Sequence, residues 1–252
     1  MKKAIIRTSN LCKSFSNGNQ KLEVIKKINL DIYEGDFTII MGSSGAGKST
    51  LLYSLSTMDK YSDGNVEFFG RDITSFNEKQ IASLRKNEMA FIFQGINLLP
   101  EMNLFENVAY NGYSKLKPKK SVNDKTLMLL EKLGLAKDKY KYPSEVSGGQ
   151  KQRTAIARAL INDPKIIFAD EPTGALNSSM GTVVLDLLTQ LNNEGQSIVM
   201  VTHDIKAATR GNRILYLKDG RIDGELYLEK FNQSNSKQRE EIVYKFLSDK
   251  NW

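Results

Sequence analysis

The sequence predicts an α/β domain that carries an antiparallel β subdomain and an inserted helical subdomain, and three observations lead there. Short apolar runs at 37–41, 90–93, 165–169 and 197–201 have the continuity of strands buried on both faces of a parallel sheet, and helical stretches separate them. Between Ala4 and Ile32 the apolar residues instead partly alternate, most clearly at Ile28, Leu30 and Ile32, the period of half-buried antiparallel strands. From about Gly95 to Asn162 the strand signal disappears and helical spacing replaces it.

Each element has a local cause. Glu34-Gly35 breaks the alternating stretch before Phe37-Thr38-Ile39-Ile40-Met41. A helix follows with Leu51, Leu52, Leu55 and Met58 on one face. In the inserted segment Leu127, Leu130 and Leu133 lead to a stop at Gly134. Near the end, 214–217 and Arg221-Ile222 flank Asp219-Gly220, a strong hairpin signal. After Gly224 the chain turns polar, and then Ile242, Val243, Phe246 and Leu247 share a helical face. A helix docking on its own domain is the preferred reading, so the organisation expected is a domain over 1–228, with helical residues of about 95–162 inserted, and a helical tail over 229–252.

Composition narrows the function classes. The 252 residues are 40% apolar and 26% charged, which excludes a disordered or fibrous chain. The longest apolar stretches are about five residues against the roughly 20 a spanning helix needs, so the chain is not expected to cross a bilayer itself. The start, Met1-Lys2-Lys3-Ala4-Ile5-Ile6-Arg7, lacks the apolar core of a secretory signal, and the expected location is inside the cell. Cys12, the one cysteine, reads as structural and agrees with a reducing compartment. With 36 Lys+Arg against 29 Asp+Glu the net charge is +7, which permits an anionic partner without choosing one. Lysines cluster at Lys115, Lys117, Lys119 and Lys120 and at Lys137, Lys139 and Lys141, a solvated face before an acidic lipid surface.

Motifs choose. Gly42-Ser43-Ser44-Gly45-Ala46-Gly47-Lys48-Ser49 fits the eight-residue P-loop pattern and lies between an expected buried strand and an expected helix, with Thr50 continuing into that helix. Its glycines let backbone N–H groups turn inward around phosphate oxygens, and the helix start adds partial positive charge. Lys48 is the expected point charge on the β- and γ-phosphates of ATP, and the Ser49 hydroxyl a ligand to Mg2+. Ile166-Ile167-Phe168-Ala169-Asp170-Glu171 sets two carboxylates past the C-terminal end of a buried strand, where ligands bind in open α/β sheets. Asp170 is placed to hold magnesium, directly or through water, and Glu171 to polarise the attacking water. Val146-Ser147-Gly148-Gly149-Gln150 reads as a second anion site: a capping serine and two glycines opening a helix through Lys151 to Leu160.

That last segment nearly matches the LSGGQ signature of the ATP-binding subunits of ATP-binding-cassette (ABC) transporters, and it precedes Asp170-Glu171 at the spacing typical of them. The chain resembles that family from Leu11 to about Ile222. The resemblance implies the ABC ATPase fold and an ATP-dependent homodimer sandwiching two ATP molecules, so that Ser147, Gly148, Gly149 and Gln150 meet the nucleotide held by the other copy's P-loop. Gln94 matches the glutamine that contacts magnesium and the transport partner; by itself it is a strand-end glutamine closing Phe91-Ile92-Phe93. Phe15 matches the aromatic that stacks on adenine, the alternative being a core phenylalanine. His203, the single histidine, matches the switch histidine that contacts the γ-phosphate and orients Glu171. Two positions depart from the pattern. Val146 replaces a leucine with little expected consequence, and Asn177 in Gly174-Ala175-Leu176-Asn177 replaces an aspartate, which implies altered coupling between the two sites.

Within the family, Phe91-Ile92-Phe93-Gln94, Asn97-Leu98-Leu99 and 167–176 look like the macrolide-export and lipoprotein-release group, most of all its bacitracin-resistance branch. That branch implies a cytoplasmic ATPase, peripheral at the cell membrane through a separate permease with a large extracellular domain, in export of or resistance to antimicrobial peptides. A regulatory module signalling to a sensor histidine kinase or a cell-wall hydrolase is the second reading. A nucleic-acid ATPase is the third, and no nucleic-acid partner is expected: those proteins carry long insertions or tandem cassettes, whereas Lys48 and Ser147 lie 99 residues apart on one cassette.

Overall fold

The computed structural model describes residues 2–18, 20–113 and 118–252. The chain divides into two compact units, Met1–Arg85 with Leu191–Trp252, and Lys86–Gln190.

In the first unit β1 (Ala4–Asn17) and β2 (Gln20–Tyr33) form a long antiparallel hairpin. Ile6, Leu11, Ile25, Ile28, Leu30 and Ile32 are buried, so the alternation marks the inner face, although it slips where the register shifts between Thr8 and Leu11. β3 (Phe37–Met41) is buried at all five positions, and α1 (Lys48–Leu55) follows the glycine loop. Burial of Leu51, Leu52 and Leu55, each contributing roughly 2 kcal/mol, holds α1 against β8, β1 and β2, where β8 is Ser197–Val201. Met58 does not share this face: the helix ends at Leu55, Thr57 takes a positive φ of 58°, and Met58 is 44% exposed.

β4 (Asp63–Phe68) adds to the free side of β1 and β5 (Arg71–Asp72) to β4, completing a four-stranded antiparallel sheet in the order β2-β1-β4-β5. The helix α2 (Glu78–Glu88) comes next. After β8 the chain passes through α7 (Ile205–Ala208), β9 (Arg213–Lys218), β10 (Arg221–Tyr227) and α8 (Ser236–Ser248). β3 lies between β8 and β9 and is parallel to both, while β10 returns antiparallel to β9. Asp219 (φ 48°) and Gly220 (φ 78°) make the two-residue turn between them, the double positive φ that selects Asp-Gly. On α8 the buried residues are Arg239, Val243 and Leu247, whereas Ile242 is exposed.

The second unit contains β6 (Met89–Ile92), α3 (Leu104–Tyr113), α4 (Lys119–Lys132), α5 (Gly148–Leu160), β7 (Ile166–Asp170) and most of α6 (Ser178–Asn193). β6 and β7 pair in parallel, with Ile92 opposite Ala169, and α3 packs on α4 and α5. Gly134 ends the α4 region at φ 67°, as its sequence position requires. β6 stops at Ile92, so Phe93 and Gln94 lie beyond the strand, and β7 runs through Asp170, which is its last residue. Of the first lysine cluster, Lys115 and Lys117 lie outside the described residues; in the second, Lys141 is paired with Asp138.

Candidate functional site

In the first unit the glycine loop leaves the C-terminal end of β3. Gly42 has φ 154°, and a Cβ there would stand 2.1 Å from the Leu217 carbonyl oxygen, so the loop can pass β9 only as glycine. Gly45 (φ 79°) and Gly47 (φ 97°) are left-handed, and the Gly47 turn starts α1, whose Leu51 N–H donates to the Gly47 carbonyl at 2.8 Å. Gly47 also passes close to β2: a Cβ there would lie 3.0 Å from Val24 Cγ1 and 3.1 Å from Ile25 Cδ1. The Gly220 N–H donates to the Ala46 carbonyl at 3.3 Å, and the Lys26 N–H to the Gly220 carbonyl at 2.9 Å, so the β9–β10 turn ties the loop to β2.

The Lys48 ammonium donates to the carbonyls of Gly42 (3.0 Å) and Ser43 (2.8 Å), which keeps its charge over the loop. Ser43, Ser44 and Gly45 are exposed, Ala46 is buried, and Ser49 and Thr50 are half-buried in the first turn of α1. Phe15, on β1, is 44% exposed and lies under the Lys13 ammonium, 4.7 Å from the ring centroid; it is not a core residue. His203 is exposed just past β8. Because Ile40 pairs with Val201, Gly42 and His203 leave two neighbouring parallel strands at the same level, the edge where α/β sheets bind ligands. Beyond His203, the Asp204 N–H donates to Thr202 Oγ1 (3.1 Å) and the Asp204 carboxylate caps α7 by accepting from the Lys206 N–H (2.7 Å).

In the second unit Asp170 is 8% exposed at the end of β7, and Glu171 follows it with a φ of 45°. A non-glycine residue held there is strained by about 1–3 kcal/mol, which places the two carboxylates on successive residues of a sharply turned chain. The Gly174 N–H donates back to the Glu171 carbonyl at 3.0 Å, and a Cβ on Gly174 would come 2.9 Å from the Gln94 amide nitrogen. Gln94 itself is exposed. Ser147 caps α5 in a reciprocal box: the Gln150 N–H donates to Ser147 Oγ (3.3 Å) and the Ser147 N–H to Gln150 Oε1 (2.9 Å). Gly149 is buried against Met180 of α6, 3.2 Å from where a Cβ would stand, and Gly148 faces Leu176 at 3.4 Å. Gln94, Glu171, the 147–150 turn and 174–177 therefore form one connected group in this unit.

Two partners in that group, Asp138 and Arg158, carry no motif, and a third, Asn177, stands where the sequence departs from the family pattern. Asp138 accepts from the Gln150 amide at 2.7 Å, and its hydrogen bond from the Lys141 ammonium holds its carboxyl below the usual carboxylate range. Arg158, on α5, donates to the carbonyls of Ile96 (3.1 Å) and Asn97 (2.6 Å), tying the chain after Gln94 to the signature helix. Asn177 caps α6, its side-chain oxygen accepting from the Met180 N–H at 2.9 Å and the Ser179 hydroxyl at 3.0 Å. Of the three, only Asn177 stood out in the sequence, as the residue in place of an aspartate in Gly174-Ala175-Leu176-Asn177.

The described residues include no cluster of three or more His, Cys, Asp or Glu side chains able to hold a metal ion. Hard oxygen donors occur in each unit, the Ser49 hydroxyl in the first and the Gln94 amide and Asp170 carboxylate in the second, and oxygen is the donor type that suits Mg2+.

The ABC transporter family model matches residues 25–174. The bacitracin export ATP-binding protein BceA of Halalkalibacterium halodurans is 44% identical over 225 residues, 89% of each chain. The macrolide export ATP-binding/permease protein MacB of Bdellovibrio bacteriovorus is 40% identical over 89% of this chain but only 34% of its own length. Among solved structures, the dimeric post-hydrolysis state of the cassette MJ0796 bound to ADP and Pi superposes with a TM-score of 0.81 at 37% identity, over 90% of this chain and all of that one. The chain belongs to the ABC transporter family, as an ATP-binding subunit that hydrolyses ATP.

Proposed function

We propose that two copies of the chain close around two ATP molecules and drive a separate membrane permease with a large extracellular domain, in export of or resistance to antimicrobial peptides of the bacitracin kind. The observation that carries this is the 44% identity to BceA across nine-tenths of both chains. MacB, whose name joins ATP-binding and permease parts, supports the pairing with a permease. No helix among the described residues is long and apolar enough to cross a membrane. The location in this proposal, the cytoplasmic face of the membrane, comes from the pairing with the permease.

In this reading the 42–50 segment cradles the triphosphate, with backbone amides and Lys48 on the phosphate oxygens, and Phe15 offers its exposed ring to adenine. Ser147 to Gln150 of one copy meet the γ-phosphate held by the other. Bound Mg2+ would neutralise phosphate charge, held by Ser49, Gln94 and Asp170. Glu171 accepts a hydrogen bond from the attacking water and aligns it, while His203 contacts the γ-phosphate and orients Glu171.

Affinity purification of the tagged chain from gently solubilised native membranes, with mass spectrometry of what accompanies it, tests the proposal. Recovery of a permease with a large extracellular domain is the expected result, and a sensor kinase beside it would add sensing to resistance. A chain active in the soluble fraction with no membrane protein attached would overturn the transport assignment while leaving the ATPase.

Asn177 gives a second test. An aspartate would cap α6 equally well, so Asn177→Asp changes charge without changing the helix start. The expected result is an unaltered melting temperature with a few-fold change, on the order of 0.5–1 kcal/mol, in ATPase rate or cooperativity. Identical rate and cooperativity would remove Asn177 from the coupling between sites.

A further inference from the structure

We propose that Arg239, on the C-terminal helix α8, is a positioning residue for ATP hydrolysis: its buried guanidinium clamps the backbone at the end of α7 and so fixes the short segment that carries His203. The inference rests on the reading of His203 as the γ-phosphate contact and extends it to a helix remote in sequence.

The geometry is specific. Arg239 is 3% exposed, and its Nε donates to the Thr209 carbonyl (2.9 Å), its Nη2 to the Gly211 carbonyl (2.7 Å) and its Nη1 to the Glu229 carbonyl (2.8 Å). A guanidinium is removed from water at little net cost only when its donors are met in this way. Two of the three carbonyls belong to the stretch just past α7, where a helix leaves its last carbonyls without backbone partners. Phe231 closes the pocket, its ring centroid 5.6 Å from the Arg239 guanidinium and 4.3 Å from that of Arg210.

What Arg239 grips is already packed on the strand that feeds the glycine loop. A Cβ on Gly211 would lie 2.3 Å from Ile39 Cγ1, the Asn212 N–H donates to the Phe37 carbonyl (3.0 Å), and the Phe37 N–H donates to Asn212 Oδ1 (2.6 Å). At the other end α7 is only four residues long and starts from the Asp204 cap, next to His203. The helix is thus suspended between His203 and the Arg239 clamp. Within α7 itself Ala207 and Ala208 are buried and Ile205 is half-buried, a small apolar surface for holding a four-residue helix. Val243 and Leu247 seat α8 by apolar burial, so the role of Arg239 separates from that of its neighbours.

The test measures kcat and KM for ATP with Mg2+ on the full chain carrying Arg239→Lys, Arg239→Met or Val243→Ala, each also in a His203→Ala background. Both Arg239 variants are expected to lower kcat by about tenfold with KM changed by less than about twofold, because a misplaced group costs rate and not ground-state binding. Val243→Ala is expected to lower the melting temperature and leave kcat unchanged. In the His203→Ala background the Arg239 loss should vanish, the non-additivity of residues acting through one another. Amide hydrogen exchange over 203–211 should rise in Arg239→Lys and not in Val243→Ala. An Arg239 loss no greater than that of Val243→Ala, or the same loss with and without His203, would overturn the proposal while His203 keeps its role. If His203→Ala alone leaves kcat intact, the histidine reading fails and Arg239 loses its route with it. Should Arg239→Met not fold, Arg239→Lys, which keeps the charge and loses the fork, decides.

Discussion

Glu171→Gln is expected to lower ATP turnover by at least ~100-fold, about 3 kcal/mol of barrier, while ATP binding persists. Glutamine has the shape of glutamate and can still accept a hydrogen bond, but it carries no negative charge to polarise water. The backbone around it stays as it is: the 45° φ of Glu171 and the Gly174 N–H bond to its carbonyl involve no side-chain atom. The turn should therefore survive the substitution, and the loss of turnover belongs to chemistry. With turnover stopped, ATP should hold two copies together, and size-exclusion chromatography in the presence of ATP should show a dimer that wild type forms only transiently. The related cassette MJ0796 has been captured as a dimer in a post-hydrolysis state, which makes the dimeric species accessible to this measurement. Normal turnover by the variant, or no ATP-dependent change in size, would remove Glu171 from the reacting centre.

That prediction draws on residues that could be found without coordinates, and the reason is physical. A phosphate-binding loop needs left-handed turns and close approaches that only glycine permits, so Gly42, Gly45 and Gly47 write the loop into the composition itself. Buried parallel strands need unbroken apolar runs, which is why β3, β7 and β8 stood out. β4 was silent for the opposite reason. Asp63-Gly64-Asn65-Val66-Glu67-Phe68 buries only Val66 and Phe68, and its strand character comes from pairing with β1, a contact no local pattern encodes. Met58 failed as a helix-face residue because the 3.6 period continued past a backbone turn at Thr57 that the side chains do not announce. On α8 the apolar spacing set Ile242, Val243, Phe246 and Leu247 on one face. Val243 and Leu247 are buried, but Ile242 is exposed and Phe246 half-buried. The inward face also carries Arg239, since three carbonyls supplied by other segments make a buried guanidinium acceptable there. The strained φ of Glu171 is equally invisible: nothing in Asp-Glu-Pro distinguishes a turned carboxylate from an extended one.

Gly42→Ala is expected to be the most damaging single change in the loop, and Gly45→Ala provides its control. At Gly45 an added Cβ meets nothing within 4 Å, so the cost is only the left-handed φ of 79°, about 1 kcal/mol. At Gly42 the same methyl would stand 2.1 Å from the Leu217 carbonyl oxygen and 3.4 Å from Ala46 Cβ, and the first contact is with backbone that cannot rotate aside. Either the loop must leave β9 or β9 must leave β3, whose Met41 pairs with Tyr216 one residue away. Overpacking of this kind adds about 1–3 kcal/mol to the conformational cost. The summed loss of roughly 3 kcal/mol corresponds to a fall in melting temperature of about 6–12 °C, against about 2–4 °C for Gly45→Ala. Function should suffer as well as stability. Moving the loop entry displaces the Gly42 and Ser43 carbonyls that hold Lys48, and with them the ammonium that the proposed function sets on the phosphates. ATP affinity should drop at least ~100-fold in Gly42→Ala, as measured by titration calorimetry below its unfolding range. Gly45→Ala should retain measurable binding. Equal affinities in the two variants would mean that the close passage of Gly42 beside Leu217 does not set the geometry of the phosphate site.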